Sequence, residues 1–129
     1  MRSLITRIGA GLSLLLLPSV ASAAFCWNEG DGGTLVLALG ASEGNLFSLY
    51  GHRVLPAGKT CQGASRVPAT AAASITGSQV LLGIQIHATG DCVSSRRQII
   101  LNLNTLAGSG AFRNDDGVEG TVTLSPIGC

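Results

Sequence analysis

Four cysteines carry the clearest chemical signal in the sequence. They are Cys26, Cys61, Cys92 and Cys129, and no two of them are spaced as C-x-x-C, so the spacing typical of zinc ribbons and thioredoxin-like sites is missing. In an exported chain, an even number of cysteines favours disulfides. Cys26 and Cys129 lie near the ends of the domain, and Cys61 and Cys92 lie in its loop-rich middle. We therefore expect the pairs Cys26–Cys129 and Cys61–Cys92, although other pairings stay open.

Residues 40–44, GASEG, match the G-x-S-x-G pattern of a nucleophile elbow around Ser42. That chemistry needs a strand, a sharp turn and a helix, with acid and histidine partners further along the chain. Here a strand is predicted to follow, which favours a Gly-rich hairpin turn. The only histidines, His52 and His87, are interpreted as solvated or hydrogen-bonded side chains. We predict no catalytic residues, and we do not expect an enzyme.

An acidic cluster near the C-terminus contains oxygen ligands that calcium prefers, namely Asn114, Asp115, Asp116 and Glu119. Its spacing does not match a calcium-binding EF-hand loop, and Asp-Gly between two strands is also what a hairpin turn requires. The hairpin is the favoured interpretation. We predict neither a metal ion nor a cofactor.

Arg96 and Arg97 are adjacent and follow two serines near Cys92. Paired arginines can bind a carboxylate or a phosphate, but the favoured interpretation is a solvated strand start. The residues that we expect near any binding pocket are amphipathic or polar side chains, and they are Trp27, Tyr50, His52 and Arg53.

The N-terminus has the three parts of a secretory signal peptide. Arg2 and Arg7 precede an apolar run over residues 8–17, and small residues follow at 21–23. The run is about half of the ~20 apolar residues needed to span a bilayer. Phe25 before Cys26 does not fit a lipoprotein signal. We expect a signal-peptide helix over residues 1–23, and a single domain over 24–129 that is periplasmic or secreted and has no membrane association.

The composition of the chain argues against a nucleic-acid-binding protein. The chain has 8 basic and 7 acidic residues, and loss of Arg2 and Arg7 with the signal leaves 6 basic against 7 acidic. A near-neutral domain with few aromatic residues is unlike a nucleic-acid-binding protein. We therefore expect no nucleic-acid partner.

The rest of the sequence alternates between short strands and turns. Apolar residues at every second position predict strands over 34–39, 79–88, 97–106 and 118–125. Residues 46–54 are also β-like, and 111–113 are predicted to form a short strand or bulge. The Ala-rich segment 68–75 is predicted as a strand because Thr70, Ile75 and Thr76 favour one and a tight turn follows. A helix over 69–74 is the alternative to the strand at 68–75. Residues 40–45 and the Gly-rich segments between the other strands predict turns.

This pattern predicts an all-β domain, a small antiparallel meander barrel of about 6–8 strands, with a β-sandwich as the alternative. If the barrel has an even number of strands, its chain ends meet and Cys26 can reach Cys129. The layout resembles small meander barrels of the avidin and lipocalin types in its Trp27, its Gly-rich first turn and its hairpin lengths. The resemblance concerns architecture alone.

Two functions fit such a domain. The first is a non-catalytic, disulfide-stabilised module that binds a small molecule or a protein at the barrel mouth or loops. The alternative is a structural or adhesin-like interaction protein of the cell envelope. A roomy cavity would favour the first function, and an exposed apolar edge strand would favour the second.

Overall fold

The computed structural model describes residues 24–88, 90 and 92–129. The predicted signal peptide, residues 1–23 with its helix, lies outside the described residues. Within the described part of the chain, no helix is long and apolar enough to cross a membrane.

The described residues form a closed antiparallel barrel of eight strands. Each strand pairs with the next along the chain, and the first pairs with the last. The predicted all-β meander barrel is therefore confirmed, in preference to the sandwich. The strands are β1 Ala24–Asn28, β2 Thr34–Glu43, β3 Leu46–Val54, β4 Arg66–Thr76, β5 Gln79–Ile86, β6 Ser95–Asn102, β7 Gly108–Asn114 and β8 Glu119–Ile127.

Alternation along the strands fills the inside of the barrel with apolar side chains. Every second residue of β5 and β6 is buried, and the residues between them are mostly exposed. Because of this alternation, one face of each strand is buried in the barrel while the other face is exposed to solvent. The largest fully buried side chains are Leu35, Leu37, Ile99, Leu101 and Leu124.

The turn predicted at residues 40–45 is shorter in the structure. β2 continues through a β-bulge at Gly40 to Glu43, and the chain reverses at Gly44 and Asn45. The bulge is stabilised by Ser48, whose Oγ accepts a hydrogen bond from the Ala41 amide at 3.1 Å. The Gly-rich composition therefore marks a bulge together with a turn, because a bulge adds a residue without ending the strand.

Several other observed strands differ from the predicted ones. The segment at 68–75 is part of β4 and not a helix. β6 ends at Asn102, because the Asn102 side chain accepts backbone hydrogen bonds from Asn104 and Thr105 and starts a turn. β7 is a full strand rather than a short segment or bulge. β1 was not predicted, since five residues show too little alternation.

Two disulfides connect distant parts of the barrel. Cys26 on β1 is bonded to Cys129, which follows β8, and Cys61 in the β3–β4 loop is bonded to Cys92 in the β5–β6 loop. This is the pairing that the cysteine positions favoured. The bonded cysteines are 103 residues apart in the first bridge and 31 in the second, so each bridge should add about 3–5 kcal/mol on the chain-entropy model.

The oxidised protein should therefore contain no free thiol. Titration with a thiol reagent in denaturant should give no reaction before reduction and four thiols after it, since the chain has four cysteines. A thiol that reacts before reduction would contradict the structure of two disulfides.

Close strand packing requires glycine at particular barrel positions. A Cβ at Gly110 would lie 1.9 Å from the carbonyl oxygen of Gln98 on β6. A Cβ at Gly83 would have nothing nearer than a carbonyl oxygen 4.0 Å away. Both glycines lie within strands, Gly110 on the inner face of β7 and Gly83 on the outer face of β5, and only a Cβ at Gly110 would overlap the neighbouring strand.

Gly110→Ala should thus destabilise the barrel by about 1–3 kcal/mol, the usual cost of overpacking. Gly83→Ala is the matched control, and it should change the free energy of unfolding little. Denaturant unfolding of both variants measures the difference. Equal losses in the two variants would show that the close approach at Gly110 does not limit packing.

Candidate binding site at the barrel mouth

A cavity of about 530 Å³ opens at one end of the barrel. The β1–β2, β3–β4, β5–β6 and β7–β8 loops all lie at this end, because the strands alternate in direction. Apolar side chains from several strands form much of the cavity wall, including Val67, Ile86, Phe112 and Val122. Its volume lies in the range of small-molecule pockets, about 300–1,000 Å³.

Glu29 enters this cavity from the end of β1. It lies two residues after the buried Trp27, so the alternation of the strand directs both side chains inwards. The turn that follows is closed by hydrogen bonds from the Glu29 amide to the Gly33 carbonyl and from the Gly33 amide to Asp31 Oδ1. The Glu29 side chain is fully buried.

Two arginines from other strands meet this carboxylate. Arg53 on β3 donates from Nε to Glu29 Oε1 at 2.6 Å, and Arg97 on β6 donates from Nη1 to Glu29 Oε2. Arg53 also donates from Nη2 to Asp31 Oδ2 at 2.8 Å. The result is a four-residue ionic cluster across the mouth, in which Asp31 is the most exposed member.

Burial opposes the charge on Arg97. Desolvation lowers the pKa of its guanidinium, the Glu29 carboxylate opposes this effect, and the positive charge of Arg53 adds to it. An arginine nevertheless stays protonated in proteins. The cluster therefore holds two cations close together inside the barrel mouth, with one fully buried anion between them.

Two polar atoms in the same wall have no partner among the described residues. They are Nε of Arg97 and Oγ of Ser95, both buried. Ser95 and Arg97 are two positions apart on β6 and both line the cavity. Buried polar groups are nearly always hydrogen-bonded, so these two atoms distinguish the site from an ordinary barrel interior.

The Cys61–Cys92 disulfide holds the β3–β4 loop over one side of the mouth. Both half-cystines line the cavity. The loop is also ordered by paired backbone hydrogen bonds between Cys61 and Ala64, and by one from the Leu55 amide to the Ser65 carbonyl. The mouth is therefore largely preformed on this side.

Of the four residues expected near a pocket, Arg53 lines the cavity and the other three do not. Trp27 is in the core, where its Nε1 donates to the Leu106 carbonyl at 2.8 Å. Tyr50 and His52 lie on the outer surface of β3, and Tyr50 is exposed. Partial burial, and then the charge of Arg66, lower the pKa of His52.

The remaining motifs are separate from the cavity chemistry. Ser42 lies within β2, where no helix follows it. The ring of His87 is hydrogen-bonded to Thr70 Oγ1 at 2.9 Å. The acidic segment after Asn114 forms the β7–β8 turn, where Asp116 caps the Val118 amide. Among the described residues, no three His, Cys, Asp or Glu side chains are grouped to hold a metal.

Glu29 was not predicted from sequence, and Arg97 was predicted as a solvated strand start. Glu29 precedes a Gly-rich turn, which by itself suggests exposure. The available signal for Arg97 was its position in the alternation, since it shares a face with Ile99 and Leu101 while Arg96 does not. A charged residue in phase with an apolar face predicts either a buried ion pair or a ligand contact.

Comparison with solved structures identifies similar barrels. The crystal structure of bradavidin matches with a TM-score of 0.67 at 16% identity, over 83% of this chain and 82% of that one. The crystal structure of core-bradavidin matches with a TM-score of 0.62 at 15% identity, over 81% of this chain and 100% of that one. No protein-family model and no curated protein matches the sequence. The likeness establishes an avidin-like barrel fold and assigns no role to any residue.

The ionic cluster generates a stability prediction. Glu29→Gln keeps the shape of the side chain but leaves two guanidinium groups without their buried anion, so we expect a loss of about 3–5 kcal/mol. Asp31→Asn is the control, because that carboxylate is 55% exposed and an exposed pair contributes about 1 kcal/mol or less. Urea unfolding at neutral pH measures both. A loss in Asp31→Asn as large as that in Glu29→Gln would contradict the account.

Proposed function

We propose that the protein is an exported, non-catalytic binding module, with residues 24–129 as its mature domain, that holds a small molecule in the barrel mouth. The observation that carries this proposal is the preformed cavity, with apolar walls and a few convergent polar groups at one end. That combination is typical of small-molecule sites. The avidin-like barrel also supports a binding module.

Two disulfides support the exported location, because such bonds persist in oxidising compartments such as the periplasm or the extracellular space. The structural or adhesin-like alternative receives less support. All eight described strands are paired on both sides, so the barrel offers no open strand edge for assembly with another chain.

The test uses the full chain, expressed in a host that exports it to an oxidising compartment. Native mass spectrometry detects any retained ligand, and amide NMR spectra follow titration with octanoate, hydrocinnamate and their primary amides. We expect binding with shifts concentrated at cavity residues such as Val67 and Phe112.

Ala88→Phe is designed to fill the cavity, since Ala88 lines it. Ala111→Phe places the same ring on the outer surface of β7 and is the matched control. The proposal predicts that Ala88→Phe abolishes binding and Ala111→Phe preserves it. If no ligand is retained and none of the probes binds, or if both variants bind equally well, the mouth is not a small-molecule site.

A further inference from the structure

We propose that the cavity selects small amphiphilic carboxylates, with the ligand carboxylate beside Arg97 and Ser95 and its apolar part against Phe112 and Val122. This inference rests on the proposed binding function and specifies the ligand class. Three features of the cavity support it, namely its charge balance, its unpaired donors and its apolar wall.

The charge balance of the buried part of the cluster is positive. Arg53 and Arg97 have side chains only 12% and 9% exposed, and Glu29, between them, is 0% exposed. Asp31 is 55% exposed, so water screens its charge far more than that of Glu29. The whole cluster is neutral, but Arg53 pairs with both carboxylates, whereas Arg97 pairs among the described residues only with the shared Glu29, so the positive charge of Arg97 is the less compensated one in a desolvated site. A ligand with one negative charge compensates it.

The unpaired donors lie where such a ligand would be bound. Arg97 Nε and Ser95 Oγ are buried and have no hydrogen-bond partner within the described residues. Both residues line the cavity, and in the proposed complex the Ser95 hydroxyl turns towards the ligand while the Arg97 guanidinium keeps its bond to Glu29. A carboxylate has two oxygens and binds an arginine and a second donor through charge-assisted hydrogen bonds.

Glu29 acts here as a positioning residue. Its hydrogen bond with Nη1 of Arg97 holds one end of that guanidinium, so the other N–H donors of Arg97 keep one orientation. Both Glu29 oxygens are already engaged by arginines. The carboxylate of Glu29 therefore orients Arg97, and the donors that it does not engage are those that a ligand carboxylate would bind.

The apolar wall restricts the ligand further. Ile84 and Phe112 are the neighbours of Arg97 on β5 and β7, and Val122 lies in the cavity wall on β8. A small inorganic anion would satisfy the donors but leave this surface in contact with water. A carboxylate with an alkyl or aromatic body satisfies the donors and covers the apolar surface.

Calorimetric titration of the exported protein with matched acids and amides tests the proposal. Octanoate and hydrocinnamate should bind at least about tenfold more tightly than octanamide and hydrocinnamamide, since hydrogen bonds to charged groups are the stronger ones. Inorganic phosphate should compete weakly. Amides that bind as tightly as the acids would overturn the inference while leaving the binding function intact. If neither acids nor amides bind, this inference fails, and the binding function fails with it when native mass spectrometry also shows no retained ligand.

Three variants separate a specific contact from general surface charge. Arg97→Gln should lower acid affinity about tenfold or more and leave amide affinity unchanged. Ser95→Ala, which leaves the ionic cluster in place, should lower acid affinity by a smaller factor, and it remains informative if Arg97→Gln does not fold. Arg96→Gln removes the neighbouring, outward-facing arginine and should leave the affinity for both acids and amides unchanged.

Three results would overturn the proposal. The first is an equal loss of acid affinity in Arg96→Gln and Arg97→Gln, and the second is no loss of acid affinity in either Ser95→Ala or Arg97→Gln. The third is phosphate that competes as strongly as octanoate.

Discussion

The pairing of β1 with β8 closes the barrel, and the rest of the structure depends on it. Three residue pairs make this contact, at Cys26, Trp27 and Asn28, and the Cys26–Cys129 bond joins the same two ends of the chain. Closure removes both sheet edges. It also places the end of β1 opposite β6, and without that arrangement Glu29 could not reach Arg97, 68 residues away in sequence.

The mouth of the barrel departs from the rules that govern its core. Below it, the interior is filled mainly by alternating Leu, Ile and Val side chains together with Trp27. At the mouth, two arginines, a buried glutamate and a buried serine occupy inward positions that apolar residues could fill. A buried ion cluster contributes little to stability compared with apolar packing. Local departures of this kind are expected at functional sites, which supports the proposal that the cluster takes part in ligand recognition.

The sequence predicted the architecture well, because period-two alternation and Gly-rich turns are local signals. The strands β5 and β8 follow directly from that alternation, and β4 follows from its β-favouring residues and the turn after it, whereas the short β1 is defined mainly by its two neighbours. The site was predicted only in part. Arg53 was selected for its type, but the charge balance around it arises when β1, β3 and β6 meet. Tyr50 and His52 share a strand with Arg53, and the position of each in the alternation determines whether it faces the cavity or solvent.

The central claim is that a ligand carboxylate binds inside the mouth, beside Arg97. A crystal structure of the exported protein with octanoate tests it most directly. The carboxylate oxygens should lie within hydrogen-bonding distance of Arg97 and Ser95, with the alkyl chain against Phe112. Octanoate bound on the outer surface, or bound in reverse with its carboxylate at the solvent-exposed Lys59 on the rim, would contradict it.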